Sequence, residues 1–254
     1  MDRKLTLDES KKMQIEMLSE FDRICRANNI TYFLAYGTLL GAVRHKGYIP
    51  WDDDIDLMVP RPEMAKLDNA FKDCRYKYAT VDNTKNYEYP FSRLLDTRTY
   101  HKYGKKKHYG LFIDIYPIDG IPSDGKGQEM YRKSILRYRN PRIFLIRLRN
   151  YIWRHIPMDI VPLIKFFTKK HREAISSFDY DSAKMVTVFD PHAIVIDKEC
   201  FSQKSELEFE GQMYYVPKGW DNILTHWYGD YMQLPPEDKR HPYHGIDSIY
   251  IKED

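Results

Sequence analysis

Residues 52–56 place four aspartates and one isoleucine inside an otherwise apolar segment, and this pattern constrains the fold of the 254-residue chain more than any other. The flanking apolar residues are Ile49, Trp51, Leu57, Met58 and Val59. A solvated acidic loop would not normally gather so many apolar neighbours. If residues 54–59 form a strand, its period of two directs Asp54 and Asp56 to one face. Two carboxylates at so short a distance repel each other unless a divalent cation lies between them, so the pattern predicts a Mg²⁺ or Mn²⁺ site.

A second apolar run, residues 110–118, has one aspartate at its centre, Asp114. An aspartate flanked by two isoleucines is costly to bury unless it is paired or binds a metal ion. We therefore predict that Asp114 joins Asp54 and Asp56 as a set of three catalytic, metal-binding carboxylates. The alternative is that Asp114 faces solvent from a half-exposed strand.

On the amino-terminal side of the acidic run, Gly37 and Thr38 follow the strand-like residues 31–36 and precede a helix predicted to begin near Leu39. The free backbone amides and the positive dipole end of such a helix attract anions, and the Thr38 hydroxyl is a further donor. This arrangement predicts a phosphate-binding turn.

Three basic residues, Arg44, His45 and Lys46, come next. Arg44 and Lys46 are candidate contacts for phosphate oxygens, and the arginine fork suits phosphate better than the lysine point charge does. The alternative is an ordinary basic loop after a helix.

Three motifs in this order resemble the LicD family, which belongs to the nucleotidyltransferase superfamily related to polymerase beta. Residues 36–59 carry the Gly-Thr-Leu-Leu-Gly and Pro-Trp-Asp-Asp-Asp-Ile-Asp signature, and residues 111–119 resemble the strand of the third carboxylate. Residues 228–237, with Arg240 and a nearby histidine, resemble the carboxy-terminal motif. The resemblance implies an α+β fold with a nucleotidyltransferase core, in which helices flank a small mixed sheet.

The resemblance also implies an activity. Family members move phosphocholine or a polyol phosphate from CDP-choline or another CDP-alcohol to a glycan, and they release CMP. The acceptors are cell-surface glycans such as teichoic acid, lipooligosaccharide or capsule. Asp54 and Asp56 would be the paired metal ligands and Asp114 the third carboxylate, acting either as a ligand or as a base.

The remaining site residues follow from the same resemblance. Gly37 and Thr38 would hold the donor phosphates, and Asp52 would bind substrate or metal as an extra ligand. Arg240 could contact a donor phosphate, and His241 or His244 could lie near the reaction centre, although a structural role is the alternative for each histidine.

Two other functions compete with this one. A nucleotidyltransferase that uses a nucleoside triphosphate would share the three carboxylates, but the carboxy-terminal motif disfavours it. A non-enzymatic accessory protein of glycan assembly would need an incomplete metal site, whereas every motif residue is present.

A net charge of +3 hides a strongly basic segment. Residues 126–172 contain 13 Lys or Arg and two acidic residues. We predict basic amphipathic helices interrupted at Pro141, Pro157 and Pro162. Their function is either contact with an anionic membrane, where a lipid-linked acceptor would lie, or packing of an insertion on the core. Nucleic acid fits the interleaved apolar residues less well.

The domain prediction follows: a catalytic core of residues 1–119 and 180–254, with a basic helical insertion at 120–179. The other predicted elements are helices at 8–28, 62–73 and 220–228, strands at 31–36, 54–59 and 111–117, and hairpins within 81–99 and 208–216.

Aromatic residues and cysteines add two expectations. The chain has 21 Tyr, and most of them should pack in the core or lie on the surface. If choline is the alcohol of the donor, a cage for its quaternary ammonium group is expected near the carboxy-terminal motif, from Trp220, Trp227, Tyr228 and Tyr243. Three widely spaced cysteines and the lack of a signal-like or membrane-spanning run predict a cytoplasmic protein, peripheral at the inner membrane face if the basic segment docks there.

Overall fold

The computed structural model describes residues 2–103, 106–152, 160–189, 194–241 and 249–252. The helices in this part of the chain are α1 (Leu7–Ala27), α2 (Tyr36–His45), α3 (Arg61–Ala70), α4 (Gly125–Ile152), α5 (Val161–Ile175) and α6 (Trp220–Tyr228). The strands are β1 (Arg3–Lys4), β2 (Phe33–Leu34), β3 (Asp56–Pro60), β4 (Lys77–Ala79), β5 (Ser92–Leu95), β6 (Thr99–Tyr103), β7 (Lys106–Tyr109), β8 (Phe112–Ile121), β9 (Met185–Val188), β10 (Ile196–Asp197), β11 (Lys204–Phe209), β12 (Gln212–Pro217) and β13 (Ile249–Ile251). The predicted α+β class is confirmed.

The chain forms two compact units. The first comprises residues 1–78, 93–116 and 199–254, and the second comprises residues 79–92 and 117–198. The predicted insertion, residues 120–179, lies within the second unit, which also includes flanking segments. Strand β8 runs from the first unit into the second.

Helix α1 begins and ends within one residue of its predicted bounds. Thr6 caps its amino terminus, because its hydroxyl accepts from the Glu9 N–H while the Glu9 carboxylate accepts from the Thr6 N–H. Phe21 on its buried face contacts the rings of Tyr32 and Phe71. Burial of one such phenylalanine contributes roughly 1.5–3 kcal/mol, so this face fixes α1 on the first unit.

The sheet of the first unit places the acidic segment beside β8. Strands β2 and β3 pair antiparallel, with Phe33 opposite Met58. The Asp114 N–H of β8 donates to the Ile55 carbonyl just before β3, at 3.0 Å. Every residue of β3 is buried, which agrees with the apolar character of residues 57–59.

Several predicted elements differ from the structure. Helix α2 begins at Tyr36, so the predicted start near Leu39 is wrong by three residues. Strand β3 begins at Asp56 rather than at residue 54, and α3 ends at Ala70 rather than at 73. The predicted hairpin within residues 81–99 is wrong, because β5 pairs with β4 and β8 instead.

Two carboxy-terminal predictions are confirmed. Strands β11 and β12 form an antiparallel hairpin that turns at Glu210 and Gly211, and α6 has its predicted bounds. Both turn residues have positive φ, 50° and 78°, which is the conformation a tight hairpin turn requires.

In the second unit, α4 and α5 pack together. Ile121, Tyr131, Ile135, Ala174 and Ile175 form one buried apolar cluster. The helices are therefore amphipathic, as predicted.

The prolines of the basic segment have different effects. Helix α4 continues through Pro141, so the predicted interruption there is wrong. Buried residues on both sides of Pro141, including Ile135 and Leu145, hold the helix in place and offset the lost backbone hydrogen bond. Pro162 occupies the first turn of α5, where proline is favoured. Pro157 lies outside the described residues.

None of the helices in the described part of the chain has an apolar stretch long enough to cross a bilayer.

Gly41→Ala should destabilise the protein by about 2 kcal/mol, since overpacking of this kind usually costs 1–3 kcal/mol. A Cβ at Gly41 in α2 would lie 2.4 Å from the Gly47 carbonyl oxygen, so the backbone must move. Urea unfolding measures the change. The control is Gly125→Ala at the start of α4, where nothing lies within 4 Å of the new methyl group. Equal stability of the two variants would contradict the close packing of α2.

His171→Gln should reduce the loss of folding stability that the protein undergoes as the pH falls below 6.5. Burial, followed by the charges of Arg142 and Arg139, lowers the pKa of His171 from 6.5 to about 3. Between these pH values the unfolded chain binds a proton that the folded chain does not, so stability falls as the pH drops through this range. Thermal unfolding from pH 7 to pH 4 tests this, with the exposed His226→Gln as the control. Parallel curves for wild type and His171→Gln would refute it.

Candidate active site

Three consecutive aspartates form a compact carboxylate group immediately before β3. One carboxylate oxygen from each of Asp52, Asp53 and Asp54 lies within 4.8 Å of the other two. Asp53 and Asp54 are 1% and 5% exposed. The run is therefore not a solvated acidic loop, and Asp53, which the sequence did not single out, is the most buried of the three.

Asp56 is the first residue of β3 and is also buried. Its N–H donates to the Thr38 hydroxyl oxygen at 2.9 Å, but its Oδ1 has no hydrogen-bond partner among the described residues. Burial raises the pKa of Asp56 well above its usual value, and the carboxylates of Asp54, Asp114 and Asp52 raise this pKa further. An unpaired buried carboxylate oxygen surrounded by other carboxylates is the arrangement that a divalent cation would stabilise.

Asp114 is buried on β8, so the alternative of a solvent-facing Asp114 is wrong. Arg93 of β5 forms a bidentate ion pair with it: Nε donates to Oδ1, and Nη2 donates to Oδ2 at 3.1 Å. The Tyr116 hydroxyl also donates to Oδ2, at 3.1 Å. The Arg93 guanidinium lies 3.9 Å from the centre of the Phe112 ring.

Arg93 was missed in the sequence, although a signal existed. It is the one cation in the apolar stretch 91–95, just as Asp114 is the single acid at the centre of its own apolar run. Two oppositely charged residues in separate buried strands are each costly alone, and together they predict a pair.

The first turn of α2 approaches the carboxylate group. No side chain in the described part of the chain caps this helix end, and Gly37 and Thr38 lie within its first turn. A Cβ at Gly37 would lie 2.4 Å from Asp52 Oδ2, so glycine at this position leaves room for the Asp52 carboxylate. Thr38 is buried and its hydroxyl accepts from Asp56, which ties α2 to β3.

The two basic candidates after α2 have other partners. Arg44 is in the last turn of α2, and its Nη1 donates to the Tyr231 carbonyl at 2.7 Å. Burial lowers the pKa of Arg44. The Lys46 side chain is exposed and lies 3.9 Å from Glu208 of β11. Neither contact involves the carboxylate group.

Arg240 lies beside the residue that precedes Asp52. Its guanidinium is 5.4 Å from the centre of the Trp51 ring, and its Nε donates to the Pro235 carbonyl at 2.8 Å. His241 is exposed. His244 and Tyr243 lie outside the described residues.

Aromatic residues line the same region. Tyr36, at the start of α2, packs on Trp227 with ring centroids 4.4 Å apart, and it meets Tyr116 edge-on at 5.3 Å. Tyr228, the last residue of α6, is 43% exposed as a whole, and desolvation of its hydroxyl, followed by the charges of the Asp56, Asp52 and Asp54 carboxylates, raises its pKa. Two of the residues predicted for an ammonium cage, Trp227 and Tyr228, are thus associated with the carboxylate region, whereas Trp220 lies at the opposite end of α6.

Comparison with known proteins identifies the relatives of this chain. Residues 29–150, which contain the aspartates and Arg93, match the family described as LicD/FKTN/FKRP, nucleotidyltransferase domain. Two uncharacterised proteins, from Rickettsia typhi and Rickettsia prowazekii, are 31% and 30% identical over 44% and 42% of this chain, and the matches cover 37% and 39% of those proteins.

A third relative is similar over almost its full length. The lipopolysaccharide cholinephosphotransferase LicD of Haemophilus influenzae is 31% identical over 98% of this chain and 99% of that protein. A match of this extent spans the three motif segments of this chain. The chain therefore belongs to the LicD family and is a LicD-type transferase.

Proposed function

We propose that the protein transfers phosphocholine, or a polyol phosphate, from a CDP-linked donor to a cell-surface glycan and releases CMP. The buried Asp56 Oδ1 carries this proposal, because it has no hydrogen-bond partner among the described residues and lies beside other carboxylates and the first turn of α2. The relative from Haemophilus influenzae, a lipopolysaccharide cholinephosphotransferase by name, favours phosphocholine as the transferred group. Teichoic acid, lipooligosaccharide and capsule are the candidate acceptors.

The proposed fold of the first unit is a nucleotidyltransferase-like core. Two observations support it: the description of the matched family, and the adjacency of β8 with the segment that leads into β3. This adjacency brings acidic residues from distant parts of the sequence to one place.

The residues present fit a divalent cation such as Mg²⁺ or Mn²⁺. All the candidate ligands are carboxylates, the donor type that these hard cations prefer. Asp54, Asp56 and Asp114 would hold the ion, and Asp52 or Asp53 could add an oxygen. When bound, the cation would neutralise pyrophosphate charge and orient the phosphate oxygens.

The protein's own groups would position the donor. The backbone amides of Gly37 and Thr38 in the first turn of α2 would bind a phosphate oxygen, assisted by the helix dipole. Arg93 would hold Asp114 in a fixed orientation. Of the roughly four lone-pair sites of the Asp114 carboxylate, the contacts with Arg93 and Tyr116 occupy three, which leaves one for a ligand or a proton.

The other predicted binding residues differ in the contacts that support a role in binding. The position of Arg240 over Trp51 supports a role for its guanidinium in binding a donor phosphate near Asp52. His241 and His244 remain candidates from the family motif. Arg44 would act through the loop whose carbonyls it binds, and Lys46 would contact substrate only by leaving Glu208.

The aromatic residues suggest how a choline group would be recognised. A quaternary ammonium is attracted to the faces of tyrosine and tryptophan rings. Trp227, Tyr36 and Tyr228 are the proposed contacts, because their rings pack together and Tyr228 is influenced by the carboxylate group.

The proposed location is the cytoplasm. The three cysteines form no disulfide in the described part of the chain, and Cys25 is buried, as expected for a protein in a reducing compartment. Full-length similarity to a LicD protein weighs against the two alternatives, a nucleotidyltransferase that uses a triphosphate and a non-enzymatic accessory protein.

Incubation with Mg²⁺, a lipooligosaccharide or teichoic acid acceptor, and single donors should identify the substrate. We expect CMP release from CDP-choline to exceed release from CDP-ribitol and CDP-glycerol, with label from the choline moiety appearing in the glycan. Nucleotide chromatography and acceptor mass spectrometry measure both products. Pyrophosphate release from a nucleoside triphosphate would instead support the nucleotidyltransferase alternative.

Asp56→Asn should separate the metal site from folding. Without metal, the variant should unfold at the same temperature as the wild type or a higher one, because it removes a buried carboxylate that lies beside other carboxylates. The rise in unfolding temperature on adding Mg²⁺ or Mn²⁺ should disappear, and transfer should fall at least about 100-fold. Calorimetry and CMP release measure these effects.

The matched control is Asp238→Asn, which changes an exposed acid outside the carboxylate group. It should keep both the metal-induced stabilisation and the activity. Metal-induced stabilisation that survives in Asp56→Asn would remove Asp56 from the proposed site.

A further inference from the structure

The exposed face of α4 combines large apolar residues with cations. Seven residues at alternating spacings of three and four form one continuous line along the helix, here called the α4 stripe: Met130, Lys133, Arg137, Asn140, Phe144, Arg147 and Tyr151. Met130, Phe144 and Tyr151 are 64%, 63% and 70% exposed. At 1.5 Å per residue the stripe is about 31 Å long.

The apolar residues of the stripe lie outside the buried face of α4. A separate set on the same helix, including Tyr131, Ile135 and Leu145, is already buried. The helix therefore has an internal apolar face and a second, exposed face that is partly apolar. A helix face that combines large exposed apolar residues with cations is typical of a helix that docks on another surface.

The charge of this region is one-sided. Helix α4 contains eight Lys or Arg and one Glu, and α5 contains four Lys or Arg and one Glu. The stripe itself has three cations and no acidic residue, although Glu129 beside it pairs with Lys133 at 3.0 Å. Helix α5 exposes two more large apolar residues, Leu163 and Phe166. The complementary surface must be anionic and must also accept apolar side chains.

We propose that the α4 stripe docks on the surface of a bilayer that contains anionic phospholipids, with the helix lying in the plane of the interface. Phe144 and Met130 would enter the boundary between headgroups and acyl chains, and Tyr151 would lie at headgroup depth. The arginines would bind lipid phosphates while their aliphatic stems cover apolar surface. This inference does not depend on the proposed reaction.

A bilayer fits these observations better than two other partners. A nucleic acid backbone would use the cations but would leave Met130 and Phe144 against charged phosphates. A second copy of the same stripe would bring like charges together across an interface.

Sedimentation with lipid vesicles tests the proposal on the full-length protein. The vesicles contain phosphatidylcholine alone or with about one third phosphatidylglycerol. We expect binding only to the anionic vesicles, and release by high salt. Arg137→Gln/Arg147→Gln should weaken binding about tenfold or more, since each cation near such a surface contributes substantially. Phe144→Gln/Tyr151→Gln should weaken it to a similar degree.

The control is Met213→Gln, which removes an exposed apolar side chain of β12, 51% exposed, in the other unit. It should bind vesicles like the wild type. All variants should unfold at the wild-type temperature, and Met130→Gln/Lys133→Gln provides the same test if one of the other pairs does not fold.

Three results would overturn the proposal. The first is equal binding of the stripe variants and the wild type to anionic vesicles, or no binding at all. The second is a dimer in light scattering that the stripe variants abolish, which would make the stripe a subunit interface. The third is binding of labelled duplex RNA or DNA that the stripe requires while vesicles are ignored. The CMP-release assay, performed with a water-soluble acceptor, reports on the reaction separately.

Discussion

Mutual repulsion of buried aspartates is the constraint on which the candidate site depends. Asp53, Asp54, Asp56 and Asp114 are all almost fully buried, and burial, followed by the charges of the neighbouring carboxylates, raises the pKa of Asp56. Arg93 offsets part of this repulsion through Asp114, and the Thr38 hydroxyl fixes the backbone at Asp56. The first turn of α2 lies beside these carboxylates, and glycine at position 37 leaves room for the Asp52 carboxylate. A protein that tolerates such a cost for stability alone would be unusual, because buried charge without compensation destabilises a fold.

The fold could be predicted where local signals agree with tertiary packing. The capping box of α1, the glycine turn between β11 and β12 and the apolar period of α6 each specify an element without reference to distant residues. Prediction failed where distant contacts decide. Helix α2 starts at Tyr36, whose ring contacts those of Trp227 and Tyr116, and these distant contacts leave no local pattern in the sequence. Helix α4 continues through Pro141 because buried contacts on both sides outweigh the lost hydrogen bond.

The same distinction applies to the candidate site. Burial of the aspartates followed from their apolar neighbours in the sequence, and so did the need of Asp114 for a partner. The partner itself could not be read from a single segment, because Arg93 lies 21 residues before Asp114 and reaches it through strand pairing. The contact of Arg44 with the Tyr231 carbonyl spans 187 residues, and no local pattern indicates it. The sequence thus indicates which charges are unfavourable to bury, and the fold determines which partner offsets the desolvation of each charge.

Location, rather than number, also determines what the basic residues of α4 can do. Arg142 and Arg149 are buried and both bind Glu88, the first at its backbone carbonyl and the second at its carboxylate, so these cations stabilise their own unit. They cannot reach an outside partner without breaking buried contacts, which costs several kcal/mol per charge. The exposed cations of the α4 stripe carry no such cost, and they share one line of the helix with Met130, Phe144 and Tyr151. The number of Lys and Arg residues in the segment therefore overstates the number of cations that a partner can contact. The α4 stripe is one face on which exposed cations and exposed apolar side chains occur together.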